Sequence, residues 1–326
     1  MNKKKRLVLI DGHALIHRAY HAYPKSLTTT KGELVNAVYG FTSNLFSILK
    51  QLKPEYVAAT FDLKGPTFRH QEFKGYKASR PKTEEELINQ VDRVKQVVKV
   101  LNIPIFEVAG FEADDVIGTL AKQGREKLEE IIIATGDRDA LQLINGEVKI
   151  FFPGRGKAPA RLVGKKEFKK EYGFFPKQLV DFKALAGDAS DDIPGVRGIG
   201  PKKATALIKQ FGTVENLYQE LDKYQDIGRA AGKTGLTKKD LEKLKVSKDQ
   251  AFLSKKLAAI VTDVPVKLAV TACKLTDYDK EKAKKLFMEL EFQTLISRLP
   301  GEEARKKTKN KDKLEKENKE QQMGLF

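Results

Sequence analysis

The chain has 326 residues, 40% of them hydrophobic and 32% charged, which excludes a disordered chain and leaves material for about two domains. No apolar run is long enough to span a bilayer, and the single cysteine, Cys273, excludes a disulfide framework and a thiolate zinc site. The formal net charge is +17; residues 301–326 hold 8 Lys and Arg against 6 Asp and Glu, a balance of +2, so +15 sits on the remainder, a surface suited to a polyanion.

The N-terminus, Met1–Arg6, is basic, but a four-residue strand-like run and Asp11 follow it. A signal peptide needs a longer apolar region, so the expected location is cytoplasmic. Leu7–Ile10 reads as a strand ending at Asp11. His13, His17 and His21 then stand at i, i+4 and i+8, on one helical face. Zinc is the weaker reading of them, because oxygen ligands dominate nearby and suit Mg²⁺ or Mn²⁺. Leu34–Leu52 has apolar residues at helical spacing and is closed by Pro54. Tyr56–Phe61 is a second strand, ending at Asp62. Lys64–Lys82 is polar, basic and aromatic with Gly and Pro breakers, and a helix starts near Thr83–Glu86 and runs to about Leu101. Residues 64–102 are too long for a simple crossover loop and predict a lid or arch.

Ile103–Val108 is a third strand leading to Glu112, Asp114 and Asp115. Ile131–Gly136 is a fourth, ending at Asp137 and Asp139. From Phe151 onward short helices are expected at Lys165–Tyr172, Pro176–Ala186, Pro201–Gln210, Val214–Leu221, Lys238–Leu244, Lys248–Ile260 and Tyr278–Leu290. The fold class is therefore α/β: a central, mostly parallel twisted sheet with a helical arch insertion, plus a small C-terminal helical domain, which the glycine-rich hairpin at Gly195–Ala204 makes a candidate DNA-binding domain of helix-hairpin-helix type. The expected domains are 1–175, 176–300 and a charged, disordered tail, 301–326.

In open α/β sheets ligands bind beyond the carboxyl ends of the strands, so the acids at these ends converge on one rim. Gly187-Asp188-Ala189-Ser190-Asp191-Asp192 adds more. So many anions need cations, and Asp11, Asp62, Glu112, Asp114, Asp115, Asp137, Asp139, Asp188 and Asp191 form a donor set for two hard divalent ions. An aspartate at a strand–helix junction is ordinarily an N-cap, and Asp139 or Asp192 alone reads best that way. Capping does not account for all nine. Helical spacing would put Glu112 and Asp115 on one face with Asp114 turned away, unless the helix begins after Asp114. A second signal, Gly195–Ala204, combines tight-turn glycines with Pro201, Lys202 and Lys203. Gly198, Gly200, Lys202 and Lys203 are candidates to hold a DNA phosphate without sequence preference. The third is Phe68–Arg80, where basic residues interleave with aromatics; Arg69, Lys74 and Tyr76 are candidate DNA contacts.

Ile10–His13, Phe61–Arg80, Phe111–Gly118, Thr135–Asp139, Gly187–Ala204 and Phe211–Leu217 run in order, and together they resemble the 5′ nuclease family. That family includes the nuclease domain of bacterial DNA polymerase I, with the flap endonucleases as wider relatives. The resemblance implies a 5′-3′ exonuclease or 5′-flap endonuclease of replication and repair, working by a two-metal mechanism as a monomer. It implies that the nine acids hold Mg²⁺ or Mn²⁺, that Lys77 and Arg80 contact the scissile phosphate, and that Tyr76 stacks near it. A K⁺ ion in the Gly195–Gly200 hairpin is a further implication. Asp192 departs from the pattern, since bacterial relatives often carry an amide there. The alternatives are the nuclease portion of a longer polymerase and a non-catalytic DNA-junction binder. Finally, Gln322-Met323-Gly324-Leu325-Phe326 resembles the bacterial sliding-clamp-binding motif; Gln322, Met323, Leu325 and Phe326 are the candidate contacts.

Overall fold

The computed structural model describes residues 5–154, 156, 158–224, 236–275 and 278–300. Of these, the residues within Met1–Ala14, Glu55–Thr83 and Pro104–Lys274 form one compact unit, and those within Leu15–Pro54, Glu84–Ile103 and Leu275–Phe326 form another. The pentapeptide 322–326 lies outside the described residues.

A six-stranded sheet organises the first unit: β1 (Arg6–Asp11), β2 (Tyr56–Thr60), β3 (Ile105–Phe106), β4 (Glu130–Ala134), β5 (Val148–Phe152) and β6 (Arg161–Val163), in the order β3-β2-β1-β4-β5-β6. The first five are parallel and β6 is antiparallel. Leu7–Ile10 and all of β4 are buried, which is why both read as continuous apolar runs rather than alternating ones. Of the expected strand Ile103–Val108 only two residues pair, since Pro104 has no N–H for a ladder. Strands β5 and β6 occupy sequence that periodicity placed partly in the helical region. The order reverses between β1 and β4, so the switch point of the sheet lies at Asp11 and the residues after Ala134.

Helix α1 (Gly12–Ala22) follows β1 directly. Gly12 is required there, because a Cβ would stand 2.3 Å from the Phe61 ring. In the second unit α2 (Asn36–Leu52) packs on α4 (Glu85–Val100). Gln90 donates to Asn36 at 2.9 Å and accepts from the Ala37 N–H at 2.8 Å. The stretch 64–102, expected as one arch, is thus divided. Its first part, with the short helix α3 (Phe68–Glu72), belongs to the sheet unit. Its second part, α4, buries Leu87, Val94, Val97 and Val98 in the other.

Helix α5 (Ala113–Gly124) lies on the sheet, and Val116, Ile117 and Leu120 share a core with Leu7, Leu9, Ile131 and Ile133. The same cluster continues into the helices that follow: α6 (Lys165–Tyr172), α7 (Leu179–Ala186), α8 (Pro201–Phe211), α9 (Val214–Asp222), α10 (Lys238–Val246) and α11 (Lys248–Ala258). The turn at Gly187–Gly195 is drawn shut backbone to backbone. Both glycines have positive φ, and a Cβ on Gly195 would stand 2.2 Å from the Gly187 nitrogen.

Candidate active site

The switch point holds Asp11. One carboxylate oxygen accepts from the Ala14 N–H at 3.0 Å and the other from the Thr135 hydroxyl at 2.5 Å, across the gap between β1 and β4. The residue is 3% exposed, and burial pushes its pKa up to about 7, helped by the charges of Asp137 and Asp62 and opposed by those two hydrogen bonds. Thr135 also accepts from the Asp137 N–H, and Asp137 in turn accepts from the Asp139 N–H. One short loop after β4 therefore carries two acids in fixed register. Asp62 follows β2; its N–H donates to His13 Nδ1 at 2.9 Å and its carboxylate accepts from the Ala113 N–H at 2.7 Å.

Glu112 is the N-cap of α5, so the helix begins at Ala113. Glu112 and Asp115 share a side as their spacing suggests, both reaching Arg69, but that side faces the interior, and Asp114 does not turn away from the other acids. Asp115, at the third helical position, turns back to accept the Glu112 N–H at 3.1 Å. It is fully buried, and both oxygens are taken: Arg69 binds them at 2.7 and 2.8 Å, and the Val261 N–H adds a bond at 2.8 Å. Asp114 is the one that faces the other acids. Burial pushes its pKa well up, with the charges of Asp11, Asp137, Asp139 and Asp62 behind it.

Arg69 was expected on the DNA; it is 2% exposed and belongs to the interior. Besides Asp115 it donates to the Leu257 and Ala259 carbonyls, and these acceptors hold its charge against the cost of burial. Tyr76 is likewise buried, in a cluster with Ile193, Leu257 and Ala258. Its hydroxyl donates to Glu112 at 3.1 Å and to Asp191 at 3.2 Å, so the ring supports the acids rather than offering a face to a base.

Lys77 and Arg80 do reach the rim. Lys77 donates to Glu112 at 2.8 Å and lies 3.8 Å from Asp191; Arg80 pairs with Asp191 and donates to the Ser190 carbonyl. Sequence reasoning missed Lys183. It stands on α7 with 8% exposure, its ammonium between Asp139 and Asp188. Burial opposes its charge, yet the two acids raise its pKa. The same ammonium helps bring Asp188 below the carboxylate range against the pull of burial. Asp139 still sits up at about 6, because burial and the charge of Asp137 outweigh Lys183 there. A buried lysine among apolar neighbours five residues before an aspartate was the available signal.

The Gly-rich hairpin leads into α8, with Gly200 as N-cap and Pro201 at its first turn. The Gly195 N–H donates to Ser254 and its carbonyl accepts from Gln250. Gly198 has φ 86°. Lys202 and Lys74 are exposed, while Lys203 pairs with the buried Asp240 at 2.7 Å.

Among the described residues no three His, Cys, Asp or Glu side chains are already drawn into a metal cage. The chemistry of the donors nevertheless fits hard cations. All are carboxylates on several elements, and three, Asp11, Asp114 and Asp139, are raised by burial and by neighbouring carboxylates, a cost that a divalent ion would relieve.

The description "5'-3' exonuclease, N-terminal resolvase-like domain" matches residues 6–173, and "5'-3' exonuclease, C-terminal SAM fold" matches residues 174–281. A DNA polymerase I of Chloroflexus aurantiacus is 44% identical over 302 residues, covering 90% of this chain and 31% of that protein. The DNA polymerase I of Bacillus subtilis is 38% identical over 304 residues, covering 93% and 33%. The chain spans about a third of the length of these curated relatives. In fold it is similar to the T5 D15 protein co-crystallised with metal ions, with a TM-score of 0.63 at 20% identity over 87% of this chain and 98% of that one. Human GEN1 in complex with Holliday junction DNA gives 0.56 at 16% identity, over 87% and 67%.

Proposed function

The chain belongs to the 5′-3′ exonuclease family, and from that premise we propose that it hydrolyses phosphodiesters at 5′ ends and 5′ flaps of DNA, including RNA primers and nicks, with two Mg²⁺ or Mn²⁺ ions. The observation that carries this reading is the uncompensated pair Asp11 and Asp114 at the switch point of the sheet, with Lys77 and Arg80 at its edge. Asp11, Asp62, Asp114 and Asp137 would hold metal directly, and Glu112, Asp139, Asp188 and Asp191 directly or through water. When bound, the ions supply activation of water and stabilisation of the departing oxygen.

The chain's own residues do the rest. Thr135 and the Ala14 N–H fix the plane of the Asp11 carboxylate. Asp115 is a positioning residue, gripping Arg69 and turning Glu112 toward Lys77. Lys77 and Arg80 offer positive charge to the phosphate that is cut. Gly198, Gly200 and Lys202 meet the backbone of duplex DNA at the start of α8, where free N–H groups suit phosphate and a K⁺ ion suits the hairpin carbonyls. In this reading the protein acts as a monomer, and Gln322, Met323, Leu325 and Phe326 tether it to a sliding clamp. Cleavage of an end-labelled 5′-flap duplex in Mg²⁺ and in EDTA tests the proposal. Product in Mg²⁺ alone is expected. Tight flap binding with no product in either Mg²⁺ or Mn²⁺ would replace it with a non-catalytic junction binder.

A further inference from the structure

Both carboxylate oxygens of Asp192 are engaged by Ser79. The carboxylate accepts the Ser79 N–H at 2.8 Å and the Ser79 hydroxyl at 2.7 and 2.8 Å. These bonds and the Arg80 charge hold its pKa below the usual carboxylate range. They are the outer rungs of a ladder between two short segments. The Lys77 N–H donates to the Asp191 carbonyl at 3.0 Å, and Arg80 Nε donates to the Ser190 carbonyl at 3.0 Å. One segment is rigid. Residues Asp188 and Ile193 exchange both backbone hydrogen bonds at 2.9 Å, closing the turn on itself. The other is the stretch Lys77–Arg80, exposed from Ala78 onward, which carries the two cations of the rim. Its inner end is anchored by buried Tyr76. Beyond Tyr76, this ladder acts with the turn bonds from the Ala78 N–H to the Gly75 carbonyl and from the Arg80 N–H to the Lys77 carbonyl, and with the ion pairs to Glu112 and Asp191, to set where Lys77 and Arg80 stand.

Two of the backbone conformations are uncommon ones. Lys77 has φ 54° and Asp192 has φ 55°, the left-handed region that costs a residue with a Cβ on the order of 1 kcal/mol. Asp and Asn tolerate that region best. Position 192 therefore needs a side chain that accepts the left-handed turn and also reaches Ser79. We infer that Asp192 is a positioning residue, a latch on Ser79 that holds Lys77 and Arg80 against Glu112 and Asp191. The inference rests on the reading of Lys77 and Arg80 as phosphate contacts, but the latch itself can be measured without cleavage.

Two substitutions separate latch from charge. Asp192→Gly keeps the left-handed backbone at no steric cost and deletes only the carboxylate. Asp192→Asn loses the charge but keeps the latch, its carbonyl accepting the Ser79 N–H and its amide donating to the Ser79 hydroxyl. The rungs are charge-assisted, so the single-turnover rate of Asp192→Gly should fall about tenfold, with flap affinity in Ca²⁺ changed by less than about threefold. Asp192→Asn should return to within about twofold of the wild-type rate. Trypsin cleavage after Lys77, followed by mass spectrometry in the absence of DNA, should be about tenfold faster in Asp192→Gly and unchanged in Asp192→Asn. Should Asp192→Gly lose overall stability, Ser79→Ala removes the hydroxyl rung from the exposed side and should move both readouts the same way. Wild-type trypsin protection in Asp192→Gly, or an Asp192→Asn as slow as the glycine variant, overturns the latch. A wild-type protein that fails to cut while the trypsin difference persists overturns the proposed function and leaves the latch standing.

Discussion

Replacing Asp11 by Asn should stabilise the metal-free protein, and by more at pH 8 than at pH 5. The folded pKa is about 7 against a reference of 3.8. Between those values the folded state keeps a proton that the unfolded state has released. The unfolded state then binds fewer protons, so stability falls as pH rises from about 4 to about 7, and the deficit is complete above the folded pKa. At about 1.4 kcal/mol per unit, the deficit is at most about 4 kcal/mol at pH 8 and under about 2 kcal/mol at pH 5. Asparagine abolishes the charge and keeps an oxygen for the Ala14 N–H. The advantage of Asp11→Asn over wild type should therefore grow by about 2–3 kcal/mol between the two pH values. Each kcal/mol moves the melting temperature by about 2–4 °C in a protein of this class, so calorimetry in EDTA resolves the effect. Adding Mg²⁺ should raise the wild-type melting temperature at pH 8 and leave Asp11→Asn almost unmoved. A variant that melts below wild type at both pH values would show that Asp11 is ionised and well partnered without metal, and the case for a cation at the switch point would fail.

Two further outcomes follow from the same geometry and a third from the sequence of residues 322–326. Arg69→Ala leaves the buried Asp115 charge alone and should cost about 3–5 kcal/mol in urea unfolding, whereas a loss under about 1 kcal/mol would show that the pair is not a support. Lys77→Ala should slow single-turnover flap cleavage on the order of 10²-fold while binding changes little; a pure affinity loss would reduce Lys77 to a phosphate-positioning residue. Leu325→Ala combined with Phe326→Ala should abolish binding to a bacterial sliding clamp and clamp-stimulated cleavage, with clamp-free cleavage intact. Calorimetry showing no clamp binding by the wild-type tail removes that partner.

What could be read from the residues was what depends on strand periodicity and strand ends. β1, β2 and β4 were legible because strands buried on both faces are apolar runs, and each stops at an acid. Helices α6, α8 and α9 were legible from their spacing and from the Gly and Pro around them. Strand β6 was not, since Arg161-Leu162-Val163 is a three-residue edge with two exposed side chains and no periodicity to find. The site failed to read where it depended on which side of a helix meets the core. Glu112 and Asp115 share a side, but that side turns to Arg69, and Asp114 is left facing Asp11, Asp137 and Asp139. Arg69 and Tyr76 misled for a related reason. Basic and aromatic residues in a connecting segment look alike whether they meet DNA or anchor the segment, and only burial separates the two uses.

The cations of the site divide by the same criterion. Arg69 and Lys183 are buried, and their partners Asp115, Asp139 and Asp188 hold them in place. Lys77 and Arg80 are more exposed and face Glu112 and Asp191 from the rim. The buried pair offsets part of the acid charge permanently, which lets the fold carry so many carboxylates. The rim pair is attached through an exposed segment, so under the proposed function it would exchange a carboxylate for a phosphate without opening the core. Asp11 and Asp114 receive neither kind of cation and are left with raised pKa values. A divalent ion would therefore bind most strongly where the chain's own cations do not reach. Substituting Lys183→Met should accordingly raise the pKa of Asp139 and Asp188 and lower the apo melting temperature at pH 8, while Mg²⁺ recovers part of the loss. No recovery by Mg²⁺ would mean that Lys183 and metal serve unrelated carboxylates.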